Sequence, residues 1–311
     1  MFLFFKEIEK QIEKEKDKII LNFSSFSDKI KVHLFLLTKI DLLGFRLERN
    51  NYFNISFLIM IEKYFWKKGY YFPKKINYTD KIIAKKKKRI VYTAIFGGKD
   101  KLLRPKYIPH NFDFLCYTDG DLKSTIWKVV RDKPTDKDPV RAAKIYKILS
   151  QKYLNNYDYS VWGDGNLIVV GDLNKLVDEY LKDCSFAAFD HMQSYDKRNC
   201  IYEEAKTLIE LAEIGKKKED PEMVLRQINA YKKEGYPKDN GLITAMILVR
   251  EHNDKDVVRL MEDWWSEICK YSRRDQLSFN YVAWKNNFKV NYIPGDSRDN
   301  EFFRRQAHVI K

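Results

Sequence analysis

Cysteine is scarce in this chain, and what there is lies far apart. Only four are present (Cys116, Cys184, Cys200 and Cys269), none at C-x-x-C spacing. A disulfide framework and a thiolate zinc site are therefore not expected, and buried free thiols in a reducing compartment are. Long apolar runs are missing too. The longest uncharged stretch, Asn50 to Ile61, falls short of the roughly 18 apolar residues of a membrane-spanning helix. The apolar start Met1-Phe2-Leu3-Phe4-Phe5 runs into dense Glu and Lys rather than a cleavage region, so no signal peptide is expected. No internal repeat is present. What remains is a chain of 311 residues with 44% hydrophobic and 15% aromatic content, enough for one large packed domain or two modest ones.

Its net charge of +14 is unevenly placed. Residues 1–89 hold 21 basic and 10 acidic side chains, so the other 222 residues are close to neutral. A nucleic-acid protein carries its basic surface on the functional domain, so nucleic acid is not an expected partner. A basic leader over 1–88 instead suits an anionic membrane surface or oligomerisation. Residues 7–20 alternate Glu and Lys around isoleucines, as a surface helix does, and the run Lys85–Arg89 ends the leader.

From Ile90 the pattern changes to strands alternating with helices. Apolar runs at 90–96, 112–119, 127–130, 157–161, 167–170, 186–189 and 242–250 read as strands. The segments 139–153, 173–181, 200–214, 221–234, 254–271 and 274–283 read as helices. The expected class is α/β, with a mixed, mostly parallel sheet over 89–311. Ligands of such sheets bind beyond the carboxyl ends of the strands, where Thr93, Gly97, Asp119 and Asp164 fall.

The most telling stretch is Trp162-Gly163-Asp164-Gly165-Asn166. At a strand end, Asp164 and Asn166 two positions apart can aim two oxygens at one hard cation, Mg²⁺ or Mn²⁺, leaving coordination sites for a diphosphate. The same Asp-Gly is also the commonest hairpin turn. Arg141 and Lys144 share a helix face and, turned toward Asp164, would neutralise diphosphate charge; otherwise they form a solvated face. Gly97 permits close backbone approach to a ligand or a plain turn. Asp119 suits a ribose or base, or a cap. His191, after Asp190, is a candidate for acid–base work or acceptor binding. Glu203 and Glu204 open a helix, where they complement its dipole and where one of them could orient Arg198.

In order along the chain, YTAIFGGKD (92–100), FLCYTDGD (114–121), PVRAAKIYKIL (139–149), YDYSVWGDGN (157–166), RNCIYEEA (198–205), EGYPKDNGL (234–242) and RRDQLSFNYV (273–282) resemble a glycosyltransferase-like family, long filed as a domain of unknown function. That family occurs in bacterial surface-polysaccharide loci and in plant Golgi hexosyltransferase-like proteins. The resemblance covers about 89–290 and implies a GT-A-type nucleotide-sugar fold. It implies that Tyr92, Thr93 and Ala94 line the nucleotide. It makes Asp164 and Asn166 the metal position, with Asn replacing the usual second Asp and weakening the charge. It implies Asp275, between the substrate-binding Arg274 and Gln276, as the catalytic carboxylate, with a helix cap as its plain alternative, and His308 as a third metal contact.

The expected function is transfer of a hexose from a nucleotide sugar, with uridine diphosphate as carrier, to a cell-surface polysaccharide or lipid-linked glycan. The expected location is the cytoplasm or the inner membrane face. The alternatives are a metal-dependent hydrolase using the same site and a sugar-binding domain without catalysis.

Overall fold

The computed structural model describes residues 87–307. The expected helical leader, apart from Lys87 and Lys88, and His308 lie outside the described residues.

β1 (Arg89–Ile95) and β2 (Phe112–Thr118) are continuous apolar runs, as strands covered on both faces must be. β3 (Lys128–Arg131) closes that edge, and α1 (Pro139–Ile148) returns the chain to β4 (Tyr159–Gly163). α1 starts where Pro139 occupies the first helical turn and the Asp138 carboxylate accepts from Val140 N–H. β5 (Leu167–Val169), α2 (Leu173–Tyr180), β6 (Phe186–Asp190), α3 (Ile201–Glu213) and α4 (Pro221–Lys233) follow. Then come β7 (Ile243–Arg250), α5 (Lys255–Lys270), α6 (Asp275–Lys285), β8 (Asn291–Ile293) and β9 (Phe303–Arg305).

The main sheet has the order β3-β2-β1-β4-β7-β6-β8. It is mixed and mostly parallel: only the pairings of β7 with β4 and β6 are antiparallel. This is the expected α/β class. One face, with Ile90, Tyr92 and Ala94 of β1, packs on α1, α5 and α6. The other, with Val91 and Ile95, packs on α2 and on the small β5–β9 sheet. α5 buries Val257, Leu260, Met261, Trp264 and Ile268 at helical spacing, each worth about 1.5–3 kcal/mol. α6 is buried on nearly all sides, which marks it as a core helix.

The hairpin reading of Asp164-Gly165 fails. β4 pairs with β1 and β7, whereas β5 leaves to pair with β9, so no hairpin joins β4 to β5. The helix expected over 139–153 breaks at Ile148 and resumes as a short 3₁₀ turn, Ser150–Lys152. All four cysteines are free; Cys116 and Cys200 are buried as expected, and Cys269 is exposed. Among the described residues no helix is long and apolar enough to cross a membrane.

Candidate active site

From β1 the chain moves outward to β2 and β3, then re-enters on the opposite side at β4. The order of strands thus reverses between β1 and β4, and a crevice opens beyond their carboxyl ends. Because β7 runs antiparallel, its amino end lies at the same edge: Asp164 N–H donates to the Met246 carbonyl at 3.0 Å. The end of β6 arrives there too, with His191 N–H donating to the Leu242 carbonyl at 2.9 Å. A cleft of about 1140 Å³ fills this corner. Ten basic and five acidic side chains line it, although the domain as a whole is nearly neutral. That excess suits an anionic ligand.

At the floor, Asp164 and Asp275 are bridged by Lys147. Its ammonium stands 3.4 Å from Oδ1 of Asp164 and 2.7 Å from Oδ2 of Asp275. Lys144, one turn earlier on α1, reaches the same Oδ2 at 2.8 Å. The Trp162 indole N–H donates to Oδ1 of Asp164 at 2.8 Å. Burial alone would raise the Asp275 carboxyl, but Lys144, Lys147 and Arg274 outweigh it and hold the group far below the usual carboxylate range. Burial, reinforced by Lys147 and Arg274, brings Lys144 down to about 8. Lys147 moves upward, because Asp164 and Asp275 together overcome its burial.

The core positions these charges. The carbonyl of Lys147, at the end of α1, accepts from Arg250 Nη1 at 2.8 Å and from the Tyr92 hydroxyl at 3.2 Å. A buried cation thus caps a helix carboxyl end. Gly165 lets the Asp164–Asn166 turn lie against β1, since a Cβ there would sit 2.9 Å from Cγ1 of Ile95. Asn166 is clamped to the chain leaving β9: its carbonyl accepts from Gln306 N–H at 2.8 Å, and its amide donates back at 3.3 Å.

A second group forms the opposite wall. Glu204 is buried between Arg198, at 2.9 Å, and Arg274, at 3.4 Å. Arg198 also donates to Nε2 of His191 at 3.1 Å, while the other ring nitrogen contacts Ser194 Oγ at 3.1 Å. Arg198 has no acceptor, so Nε2 is the unprotonated nitrogen and the imidazole proton sits on Nδ1. Burial and Arg198 lower the His191 pKa, which keeps the ring neutral.

The expected site residues divide accordingly. Ala94, Gly97, Lys144, Asp164, Asn166, His191, Arg274, Asp275 and Gln276 all line the cleft. Tyr92 does not: it is fully buried and points into the core, where it holds Lys147 rather than a nucleotide. Thr93 points to the other face of the sheet, against Leu102 and Trp127. Alternation along a strand forbids neighbours such as Tyr92 and Thr93 from lining one wall. Asp119 accepts from Gly97 N–H at 3.0 and 3.1 Å and so ties the end of β2 to the turn after β1. Arg141 turns away toward Asp136, at 4.0 Å, and Lys144 meets Asp275 instead of Asp164. Asp275 is not the helix cap, which is Arg274. The residue that sequence reasoning missed is Lys147. Its signal was present, since it continues the Arg141–Lys144 stripe by three more residues.

A carboxylate and a carboxamide two residues apart on the cleft floor fit a hard divalent cation that keeps phosphate or water ligands. Among the described residues no three His, Cys, Asp or Glu side chains converge to complete such a site.

Residues 45–308 match the TOD1/MUCI70 glycosyltransferase-like domain, and the chain belongs to that family. The match begins at 45, inside the segment that the sequence reading set apart as leader. A curated relative, the probable hexosyltransferase MUCI70 of Arabidopsis thaliana, is 30% identical over 236 residues. That stretch is 65% of this chain and 38% of the plant protein, so the chain spans well under half of its relative. Among solved structures, the apo bifunctional glycosyltransferase WbbM aligns with 68% of this chain and 39% of its own, at a TM-score of 0.38 and 9% identity. The galactosyltransferase LgtC, solved with donor and acceptor sugar analogs, aligns with 66% of this chain and 72% of its own, at 0.35 and 14%.

Proposed function

We propose that this chain transfers a hexose from a nucleotide sugar, with uridine diphosphate as the carrier, to a cell-surface polysaccharide or lipid-linked glycan. The observation that carries the reading is the alternating series Asp164–Lys147–Asp275–Lys144 on the floor of a basic cleft at the strand-order reversal. In glycosyl transfer the bond from the anomeric carbon to the diphosphate breaks, and its electron pair leaves with the diphosphate. The acceptor oxygen bonds to that carbon, and its proton passes to the departing diphosphate. The chief task of the protein is to stabilise negative charge on the departing group.

Lys147 and Lys144 would supply the balancing positive charge. Asp164 and Asn166 would hold Mg²⁺ or Mn²⁺, which when bound supplies Lewis-acid charge to the same oxygens. Of the two roles open to a catalytic carboxylate, proton abstraction and charge stabilisation, Asp275 suits the second. A carboxylate held far below its usual range by two ammonium groups is a weak proton acceptor at neutral pH. Its role is to hold both lysines at the cleft floor and to place negative charge near a developing oxocarbenium ion. His191, with both ring nitrogens engaged, positions Arg198 on the acceptor wall.

The test is thermal unfolding of the full chain against a nucleotide panel, with and without Mn²⁺. Uridine diphosphate at 100 times its Kd stabilises by about 2.7 kcal/mol. A Mn²⁺-dependent shift that is selective for uridine diphosphate and lost in Asp164→Ala supports the reading. No shift with any nucleotide overturns it.

A further inference from the structure

The loop between β1 and β2 carries a feature that the transfer chemistry leaves unused. Between Gly98 and Asn111 it holds Lys99, Lys101, Arg104 and Lys106 against a single acid, Asp100. It also exposes two large side chains side by side, Tyr107 at 41% and Ile108 at 56%. Adjacent apolar side chains at that exposure on one tip call for an explanation, unlike scattered single ones.

The loop is not loose. Lys106 and Tyr107 both donate their N–H to the Val169 carbonyl of β5, at 2.9 and 3.3 Å. The Leu103 carbonyl accepts from the Trp127 indole at 2.9 Å, and the His110 carbonyl accepts from Asn174 at 3.0 Å. Pro105 and Pro109, on either side of the exposed tip, are buried. Tyr107 and Ile108 are thus held outward by a braced backbone.

Further positive charge lies alongside. β5 pairs with β9 in the register Val169–Phe303, Ile168–Arg304 and Leu167–Arg305, which puts Arg304 and Arg305 one strand away from the tip. Both are exposed. Arg304 is neutralised by Asp299 at 3.1 Å. Lys101, Arg104, Lys106 and Arg305 have no ion-pair partner among the described residues. The patch reaches the cleft, because Lys99 and Arg305 both line it.

We propose that this patch docks on an anionic phospholipid surface, with Tyr107 and Ile108 entering the headgroup layer and Lys101, Arg104, Lys106 and Arg305 meeting the lipid charge. Unpaired cations around an exposed apolar tip are the combination that interfacial binding uses. An anionic glycan would account for the cations but not for an isoleucine held outward beside them. Docked in this way, the patch brings the cleft it borders close to the surface from which a lipid-linked acceptor would arrive. The inference stands without the donor chemistry, since its readout is lipid binding alone.

The experiment is co-sedimentation of the full chain with phosphatidylcholine vesicles containing 0 or about 30% phosphatidylglycerol, compared with three variants. These are Arg104→Glu/Lys106→Glu, Tyr107→Ser/Ile108→Ser, and Lys232→Glu/Lys233→Glu as a charge control on α4. Each basic residue near an anionic surface strengthens binding about fivefold. The first variant should therefore bind phosphatidylglycerol vesicles at least about tenfold more weakly. The second should bind several-fold more weakly, and the control should match wild type. Unfolding midpoints should stay unchanged in the two loop variants, and the nucleotide-induced shift in all three. Equal binding by wild type and the two loop variants would overturn the proposal. Absence of binding, or loss confined to a soluble anionic glycan, would overturn it as well.

Discussion

Lys144 and Lys147, one helical turn apart, place their ammonium groups on the same atom, Oδ2 of Asp275, at 2.8 and 2.7 Å. Two cations sharing one anionic oxygen in a buried place are stable only while that oxygen keeps its charge. Removing the charge strands Lys144 and leaves Lys147 with Asp164 alone. Asp275→Asn should therefore destabilise the fold by about 3–5 kcal/mol, the usual cost of breaking a buried pair from one side. Asp275→Asn/Lys144→Met, which removes the stranded cation, should recover part of that loss. Urea unfolding of the three proteins tests this, and a double variant no more stable than the single would refute the shared-oxygen account.

The same geometry sets a pH dependence. Burial first, then Lys147 and Arg274, bring Lys144 down to about 8, whereas the group in an unfolded chain titrates near 10.5. The folded state thus sheds this proton earlier, so Lys144 makes stability rise with pH between about 8 and 10.5. Its effect on the donor is opposite in sign. Above about 8 the site loses one of its two floor cations, and affinity for a diphosphate should fall. In kcat/KM this appears as an alkaline limb near 8. In kcat the limb moves higher, because bound diphosphate favours the protonated amine. Lys144→Met should remove the limb from kcat/KM, while Lys144→Arg should move it beyond the accessible range.

Lys147 and Asp164 should separate in a binding experiment. Asp164→Ala removes the proposed metal carboxylate and also releases Lys147 from one of its two partners. It should abolish the Mn²⁺-dependent part of uridine diphosphate binding. Lys147→Met keeps both carboxylates and removes the proposed phosphate contact. It should weaken the nucleotide about tenfold or more, with the Mn²⁺ dependence retained. Titration calorimetry with and without the ion distinguishes the two, and identical behaviour of the variants would remove the division of labour proposed here.

The α/β class was legible because its signals are local: continuous apolar strands, and helices with clear starts such as Asp138-Pro139. β8 and β9, three residues each, carry too little pattern to be seen, yet β9 decides where β5 goes and so rules out the hairpin at Asp164. Reading position worked, as for Asp164, which falls just past the end of β4 and lines the cleft. It failed where side-chain direction decides. Tyr92 and Thr93 occupy neighbouring positions on β1 and face opposite layers, and Arg141 turns to Asp136 although Lys144, three residues on, reaches the cleft. Lys147 escaped notice because a lysine amid apolar residues reads as a solvated face. Only the fold brings the two carboxylates that make its burial tolerable.

The Asp164–Asn166 turn depends on the absence of a side chain at position 165. An added Cβ would stand 2.9 Å from Cγ1 of Ile95, closer than real contacts allow, and a tight 3.3 Å from Cδ1. Both are side-chain atoms of β1, so the conflict can be relieved by trimming Ile95. Gly165→Ala should cost about 1–3 kcal/mol of stability, as overpacking does, and should weaken Mn²⁺-dependent nucleotide binding by tilting the turn that carries Asp164. Ile95→Val removes Cδ1 but leaves a branched Cβ, so it should relieve only part of the strain. Ile95→Ala removes Cγ1 as well and should restore binding in the Gly165→Ala background while lowering stability on its own. Unfolding and binding measured around that double-mutant cycle give the coupling directly. A coupling of zero would mean that the turn does not rest on Ile95, and that the position of Asp164 is set instead by its backbone bond to Met246.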